Sequence, residues 1–193
     1  MFILCDTSSV LMLLRIAPDM FIDERYECVT IKDVHDEIKR TSKFKNKYPW
    51  AKDLRSKIKT LSLRASQRKT VDLYFSTISE LINTGTINKV TGHLFDLSYP
   101  DRKIAASTLA LGYKITSGDA GLVAFCGQEF SKEFKGAVSP LAVINRWIEK
   151  GIIVWDDIKQ EYLADWAEKN EHPQPRNDKV VFRKLTKRKY VGT

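Results

Sequence analysis

The stretch Phe2-Ile3-Leu4-Cys5-Asp6-Thr7-Ser8-Ser9-Val10 decides how the rest of the chain is read. An apolar run stops at an acid, hydroxyl residues follow, and apolar side chains resume from Val10 to Ile16. That pattern is a short strand, a turn whose polar side chains can cap a helix, and the helix itself. Asp6 then stands at the carboxyl end of a strand. The same order returns at Tyr113-Lys114-Ile115-Thr116-Ser117-Gly118-Asp119, ahead of the apolar run Leu122 to Phe125, and it places Asp119 just past a second strand.

Working outward, Glu27-Cys28-Val29-Thr30 opens another unit. Thr30 and Asp33 have capping-box spacing, Val34 and Ile38 share one helical face, and Glu37 lies at the edge of that face, where a one-residue shift of the helix would exchange it with Asp36. Val71 to Ile82 is helical by periodicity, and Thr86 to Val90 reads as a third strand. In Leu97-Ser98-Tyr99-Pro100-Asp101, Ser98 suits an N-cap, Pro100 the first turn, and Asp101 the third helical position, with Gly112 ending the helix. Tyr113 to Thr116 is a fourth strand and Gly151 to Trp155 a fifth, separated by a helix from Ser139-Pro140 to about Lys150. Ile158 to Glu168 is a last helix, after which His172-Pro173-Gln174-Pro175 ends regular structure.

Strands alternating with helices predict an α/β fold, doubly wound, with a mainly parallel sheet of about five strands. Such sheets bind ligands beyond the carboxyl ends of their strands, where strand order reverses. Asp6, Glu37, Asp101 and Asp119 would meet there from four separate stretches of chain.

A chain of 193 residues buries an ample core, and 43% hydrophobic against 29% charged residues exclude a disordered or fibrous protein. Uninterrupted apolar runs such as Val10 to Leu14 are far below the ~20 residues that span a bilayer, so a cytoplasmic protein without a membrane partner is expected. Cys5, Cys28 and Cys126 match neither a disulfide framework nor a zinc clip and read as buried thiols. Trp147, Trp155 and Trp166 lie in apolar elements and read as core.

The net charge of +8 hides a sharp partition. Lys39 to Lys69 carries twelve Lys or Arg against the single acid Asp53, and Arg176 to Thr193 carries seven against Asp178. The rest of the chain therefore sums to −9. A polyanion held by the basic blocks, with a cation held by the acidic body, fits that division. Within 39–69, a helical hairpin or basic arm, Lys43, Lys45, Lys47, Lys52 and Arg55 would grip the phosphates of a polyanion and Trp50 would stack a base, or the stretch is a solvated helical face anchored by Trp50.

Four acids brought together need a cation, and an all-oxygen set without His or Cys selects Mg²⁺ or Mn²⁺. One or two such ions could activate water and stabilise the leaving oxygen of a phosphodiester. Asp6, Asp101 and Asp119 would hold the metal, Glu37 would ligate it or orient the water, and Thr7, Thr116 and Ser117 would hydrogen-bond the carboxylates.

The segments Phe2 to Ser8, Asp36-Glu37-Ile38, Pro100 to Ala106 and Ile115 to Asp119 resemble, in order and spacing, the four acidic motifs of the PIN-domain ribonucleases, VapC-type toxins included. The resemblance covers residues 1–155 and implies a three-layer α/β/α nuclease domain there; the C-terminal helix and basic tail over 156–193 lie beyond it. It implies a Mg²⁺- or Mn²⁺-dependent endoribonuclease with Asp6, Glu37, Asp101 and Asp119 as catalytic and metal-holding residues. It also implies RNA as substrate, often a homodimer, and in toxins an inhibitory antitoxin. The alternative is a catalytically inactive RNA-binding or assembly module on the same fold.

Overall fold

Consecutive apolar residues without polar alternation belong to a strand covered on both faces. Ile3–Cys5 forms that strand, β1, wholly buried at the centre of the protein. The structure is a computed structural model and is described for residues 1–169 and 174–191. β1 pairs in parallel with β2 (Cys28–Val29) on one side and β3 (Lys114–Thr116) on the other. β3 in turn pairs in parallel with β4 (Ala137–Val138). The order is β2-β1-β3-β4, with Cys5 beside Thr116 in register. Strand order reverses between β1 and β3, so the switch point lies beyond Cys5 and Thr116.

The helices are α1 (Thr7–Ile16), α2 (Lys32–Arg40), α3 (Ser42–Lys47), α4 (Ala51–Leu54), α5 (Ala65–Asn83), α6 (Tyr99–Leu111), α7 (Ala120–Glu129), α8 (Pro140–Glu149), α9 (Asp157–Glu168) and α10 (Arg176–Thr186). α1 packs against α2, α4, α8 and α9; α6 packs against α2, α5 and α7; α10 packs on α8. The core joins Val10, Leu13 and Leu14 of α1 to Ile104 of α6 and Ile144 and Trp147 of α8. Trp147 and Trp166 are buried, and Trp155 is half-buried with its ring edge-on to Phe182 at 4.9 Å. All three cysteines are free and buried. Burial pushes the Cys126 thiol up to about 12.

The α/β class is as expected, but the sheet has four strands among the described residues, not five. Thr86 to Val90 makes only an antiparallel bridge from Ile87 to Leu94, because the Asn88 side chain accepts from Val90 N and Thr91 N and curls the chain. Gly151 to Trp155 is not a strand either: Ile152 N turns back to Trp147 O at 2.9 Å, and Val154 is 80% exposed. The fourth strand is instead the unanticipated pair Ala137–Val138. Thr30 caps nothing; its hydroxyl donates to the Cys5 carbonyl at 2.9 Å, and Ile31 occupies the N-cap of α2.

Among the described residues both basic blocks contain helices. Residues 39–69 form the end of α2, α3, α4, a short 3-10 turn at Arg55–Lys57, a non-helical stretch over 58–64 and the start of α5. Tyr48 is buried within this segment, stacked on Trp166 with centroids 5.6 Å apart. In the stretch expected to end regular structure, His172 and Pro173 lie outside the described residues. Beyond it α10 turns Phe182 fully inward. Its N-terminal end is tied to α8: the Ser139 hydroxyl donates to Asp178 at 2.6 Å, Asn145 Nδ2 to Asp178 O at 2.9 Å, and Leu141 N to Gln174 Oε1 at 3.0 Å. Among the described residues no helix is long and apolar enough to cross a membrane.

Phe182→Ala is expected to lower the unfolding free energy by about 3–5 kcal/mol, as for other buried aromatic truncations. Val180→Ala, on the exposed side of α10, should change it by less than about 0.5 kcal/mol. Urea denaturation measures both, and equal midpoints would show that α10 lies outside the cooperative core.

Candidate functional site

Three of the four acids singled out in the sequence stand where a helix begins. Asp6 is the N-cap of α1, Asp119 is the N-cap of α7, and Asp101 completes a capping box with Ser98 at the start of α6. Helix N-termini present unpaired N–H groups and partial positive charge, so each carboxylate is held by its own helix. Glu37 differs, projecting from the last turns of α2.

Asp6 is the most firmly fixed, at 7% exposure. Its Oδ1 accepts from Ser9 N at 2.7 Å and from the Ser8 hydroxyl at 3.0 Å. Its Oδ2 accepts from the Ser117 hydroxyl at 2.5 Å, a bond spanning the crevice between the ends of β1 and β3. Ser117 also accepts from Asp119 N at 3.0 Å and so ties the two acidic turns together. Asp119 Oδ1 accepts from Gly121 N at 2.7 Å and Leu122 N at 3.2 Å. A Cβ on Gly121 would lie 3.0 Å from that oxygen, so the glycine leaves room for the carboxylate. Asp101 Oδ2 accepts from the Ser98 hydroxyl at 2.5 Å and Ser98 N at 3.1 Å.

Glu37 accepts a short hydrogen bond from the Thr7 hydroxyl, which carries it to the N-terminus of α1. Its neighbour Asp36 faces outward and pairs with Lys32 at 2.5 Å and Arg40 at 3.8 Å. Of the residues expected to support the carboxylates, Thr7 and Ser117 do so directly. Thr116 does not: it is buried, its carbonyl accepts from the Ser9 hydroxyl at 3.0 Å, and it fixes the turn rather than an acid. Ser8, Ser9 and Ser98 were missed as site residues, although each lies two or three positions from an acid, the spacing of a local side-chain turn.

The four acids share one electrostatic field. Burial lifts the Glu37 carboxyl above its ordinary range, opposed by the bond from Thr7 and reinforced by the charges of Asp101 and Asp6. Burial likewise lifts Asp101, opposed by Ser98 and reinforced by Asp119 and Asp6. Among the described residues no Lys, Arg or His forms an ion pair with any of the four. The bases next to Asp101 in sequence turn away: Arg102 Nε donates to Leu97 O at 2.8 Å, and Lys103 lies over the Phe75 ring at 3.9 Å.

Carboxylate and hydroxyl oxygens with uncompensated negative charge suit a hard divalent ion in donor chemistry and in sign. The oxygens do not form a finished coordination shell. Among the described residues no group of three or more His, Cys, Asp or Glu is arranged to hold a metal. Each carboxylate is instead turned toward its own hydroxyl or amide donors.

The expected nucleic-acid residues divide differently. Lys43, Lys45 and Lys52 are exposed, while Arg55 and Lys47 are half-buried, with Lys47 Nζ donating to Lys169 O at 3.4 Å. Trp50 does not offer a free stacking face. Its ring packs edge-on against Tyr48 at 6.1 Å and lies under the Arg15 guanidinium at 5.4 Å. No family model, curated protein or solved structure matches this chain.

Raised carboxyl pKa values mean that folding favours the protonated acids. Their contribution to stability is full below the ordinary values of 4.5 for Glu37 and 3.8 for Asp101 and is lost as pH rises through the raised ones. Glu37→Gln keeps the acceptor for Thr7 and removes the repelled charge. In chelator it should melt above the wild type near neutral pH, with the gap closing in acid below both ordinary values. Calorimetry at the two pH values checks this; a lower melting temperature for the variant near neutral pH would contradict the shared field.

Proposed function

We propose that the chain is a metal-dependent endoribonuclease whose acidic cluster lies at the switch point of a PIN-like three-layer α/β/α fold. One observation carries the reading: carboxylates from four distant segments lie close enough at the sheet's carboxyl edge to act on one another by charge, Ser117 links two of them, and among the described residues no basic residue is paired to any. Asp6, Asp101 and Asp119 would hold Mg²⁺ or Mn²⁺, with Glu37 beside them. A bound divalent ion supplies a polarised phosphodiester oxygen and a more acidic water. Ser8, Ser9 N and Ser117 fix the Asp6 oxygens, and Ser98 fixes Asp101. Glu37, with a carboxyl that binds protons more tightly than usual, is suited to accept the proton of an attacking water, and Thr7 orients it. Lys43, Lys45, Lys47, Lys52 and Arg55 would hold RNA phosphates by charge. The resemblance to the PIN-domain ribonucleases adds an antitoxin and a homodimer to the proposal, and the short apolar runs add a cytoplasmic location.

The second reading is a non-catalytic RNA-binding or assembly module. It is favoured by the lack, among the described residues, of three acids arranged to hold a metal.

Incubation with total RNA in Mn²⁺, with and without chelator, separates the two readings. The nuclease reading predicts chelator-sensitive cuts that Asp6→Asn abolishes. Ser117→Ala should slow cutting about 10–100-fold, the usual loss when a ligand's hydrogen-bond partner is removed. RNA left intact, or cut equally by Asp6→Asn, would contradict the nuclease.

A further inference from the structure

Pro49 breaks the chain between α3 and α4, and the two short helices splay around a cleft of about 400 Å³. Its floor is apolar, made by Ile38, Phe44 and the buried Tyr48, with Pro49 at the side. Its charged lining is all positive: Lys45, Lys52 and Arg55. Ile38 directly follows Glu37, so one wall of the cleft is the helix that carries Glu37 into the acidic cluster.

What sets the three cations apart is that they converge on one cleft without an acid among them. Elsewhere in the molecule Lys32 and Arg40 are paired to Asp36, Lys57 to Asp19, Arg15 to Asp165, and Lys150 to Glu27. Among the described residues Lys45, Lys52 and Arg55 have no such partner, and no acid lines the cleft. Three uncompensated positive charges around an apolar hollow fit a ligand with an apolar body and more than one negative charge. The size lies at the lower end of small-ligand pockets, so it suits one nucleotide rather than a helix or a folded domain.

The aromatic floor narrows the mode of binding. Tyr48 is closed on its faces by Trp166, stacked at 5.6 Å, and by Lys169, whose Nζ lies 5.1 Å from the ring centroid. Phe44 is only partly buried and makes no ring contact with another aromatic or cation among the described residues. It is the ring left for a base. Every base has a face that stacks on an aromatic side chain, and cations alongside then hold its flanking phosphates.

We infer that the α2–α3–α4 cleft is a single-nucleotide subsite for single-stranded RNA, in which the base lies on Phe44 and Pro49 and the adjoining phosphates are held by Lys45, Lys52 and Arg55. The inference rests on the proposed function in taking RNA as the ligand. It differs in placing recognition in a discrete cleft and in replacing Trp50 by Phe44 as the stacking ring.

The test is binding of a fluorescent single-stranded oligoribonucleotide of mixed sequence, followed by anisotropy in chelator so that nothing is cut. Lys45→Ala/Lys52→Ala/Arg55→Ala should weaken binding at least ~10-fold at low salt and reduce the slope of log affinity against log salt by about 2, at roughly 0.7 per lost contact. Phe44→Leu keeps an apolar fill, removes the ring, and should weaken binding about 10-fold with the slope unchanged. Lys132→Ala/Lys135→Ala, in the loop after α7, should bind as wild type. Circular dichroism melts show whether each variant folds, and Lys52→Ala alone, at an exposed site, tests the same slope in smaller measure.

Cleft variants that bind like wild type would overturn the subsite, as would equal losses in the loop control. Tighter binding of duplex RNA, or displacement of the RNA by a leucine-containing polyglutamate peptide at lower concentration, would also overturn it, the second in favour of a protein occupant. The two proposals can fail separately. RNA bound with these sensitivities but never cut in Mn²⁺ removes the nuclease and leaves the cleft; RNA cut by a protein whose cleft variants bind normally removes the cleft alone.

Discussion

Repulsion among four carboxylates is the constraint around which this fold is built. Two like charges 4 Å apart repel by about 4 kcal/mol at an effective dielectric of 20. A hydrogen bond to a charged group returns about 1.5–3 kcal/mol, and a helix N-terminus about 0.3–1 kcal/mol. Asp6 accepts from three donor groups and sits on a helix N-terminus. Glu37 has one hydroxyl donor and no helix N-terminus of its own, and burial, with the charges of Asp101 and Asp6 added, holds it above its ordinary range. The local donors therefore offset the repulsion unevenly. The residual negative field is the feature to which the functional proposal attaches a cation.

That field is preserved by where the basic residues point. Lys32 and Arg40 share helix α2 with Glu37 but are drawn to Asp36 on the outer face. Lys103 follows Asp101 by two residues yet lies on the Phe75 ring. The parallel sheet makes the separation feasible. Each strand runs toward the same edge, so acidic turns meet there while the basic helices α3, α4 and α10 form outside it.

Much of the site was legible because capping and clustering use the same signature. An acid after an apolar run, followed by hydroxyls or glycine, predicts a helix start at the end of a strand, and Asp6 and Asp119 stand at such starts, whereas Asp101 is placed by Ser98 and Pro100 opening a helix two or three residues before it. Glu37 could be separated from Asp36 only by the packing of α2. What stayed illegible depends on distant partners. β4 is two residues long and exists because β3 offers it hydrogen bonds, so it carries no periodic pattern of its own. The apolar run Ile152-Ile153-Val154 resembled a strand but has no neighbour in the sheet. In α10 the lysines and arginines masked an inward face centred on Phe182 that only α8 and Trp155 make sense of. Trp50 misled for a related reason, since successive residues near a helix start point to different sides and its cationic neighbours in sequence are not its neighbours in space.

Titrating the protein with substoichiometric Mn²⁺ and observing the side-chain carboxyl carbons by NMR tests the shared field most directly. Paramagnetic broadening should strike Asp6, Glu37, Asp101 and Asp119 together and first, ahead of exposed surface acids such as Asp53 and Glu161. Broadening that begins at those surface acids, or that reaches the four carboxyl groups one by one at unrelated concentrations, would contradict the account.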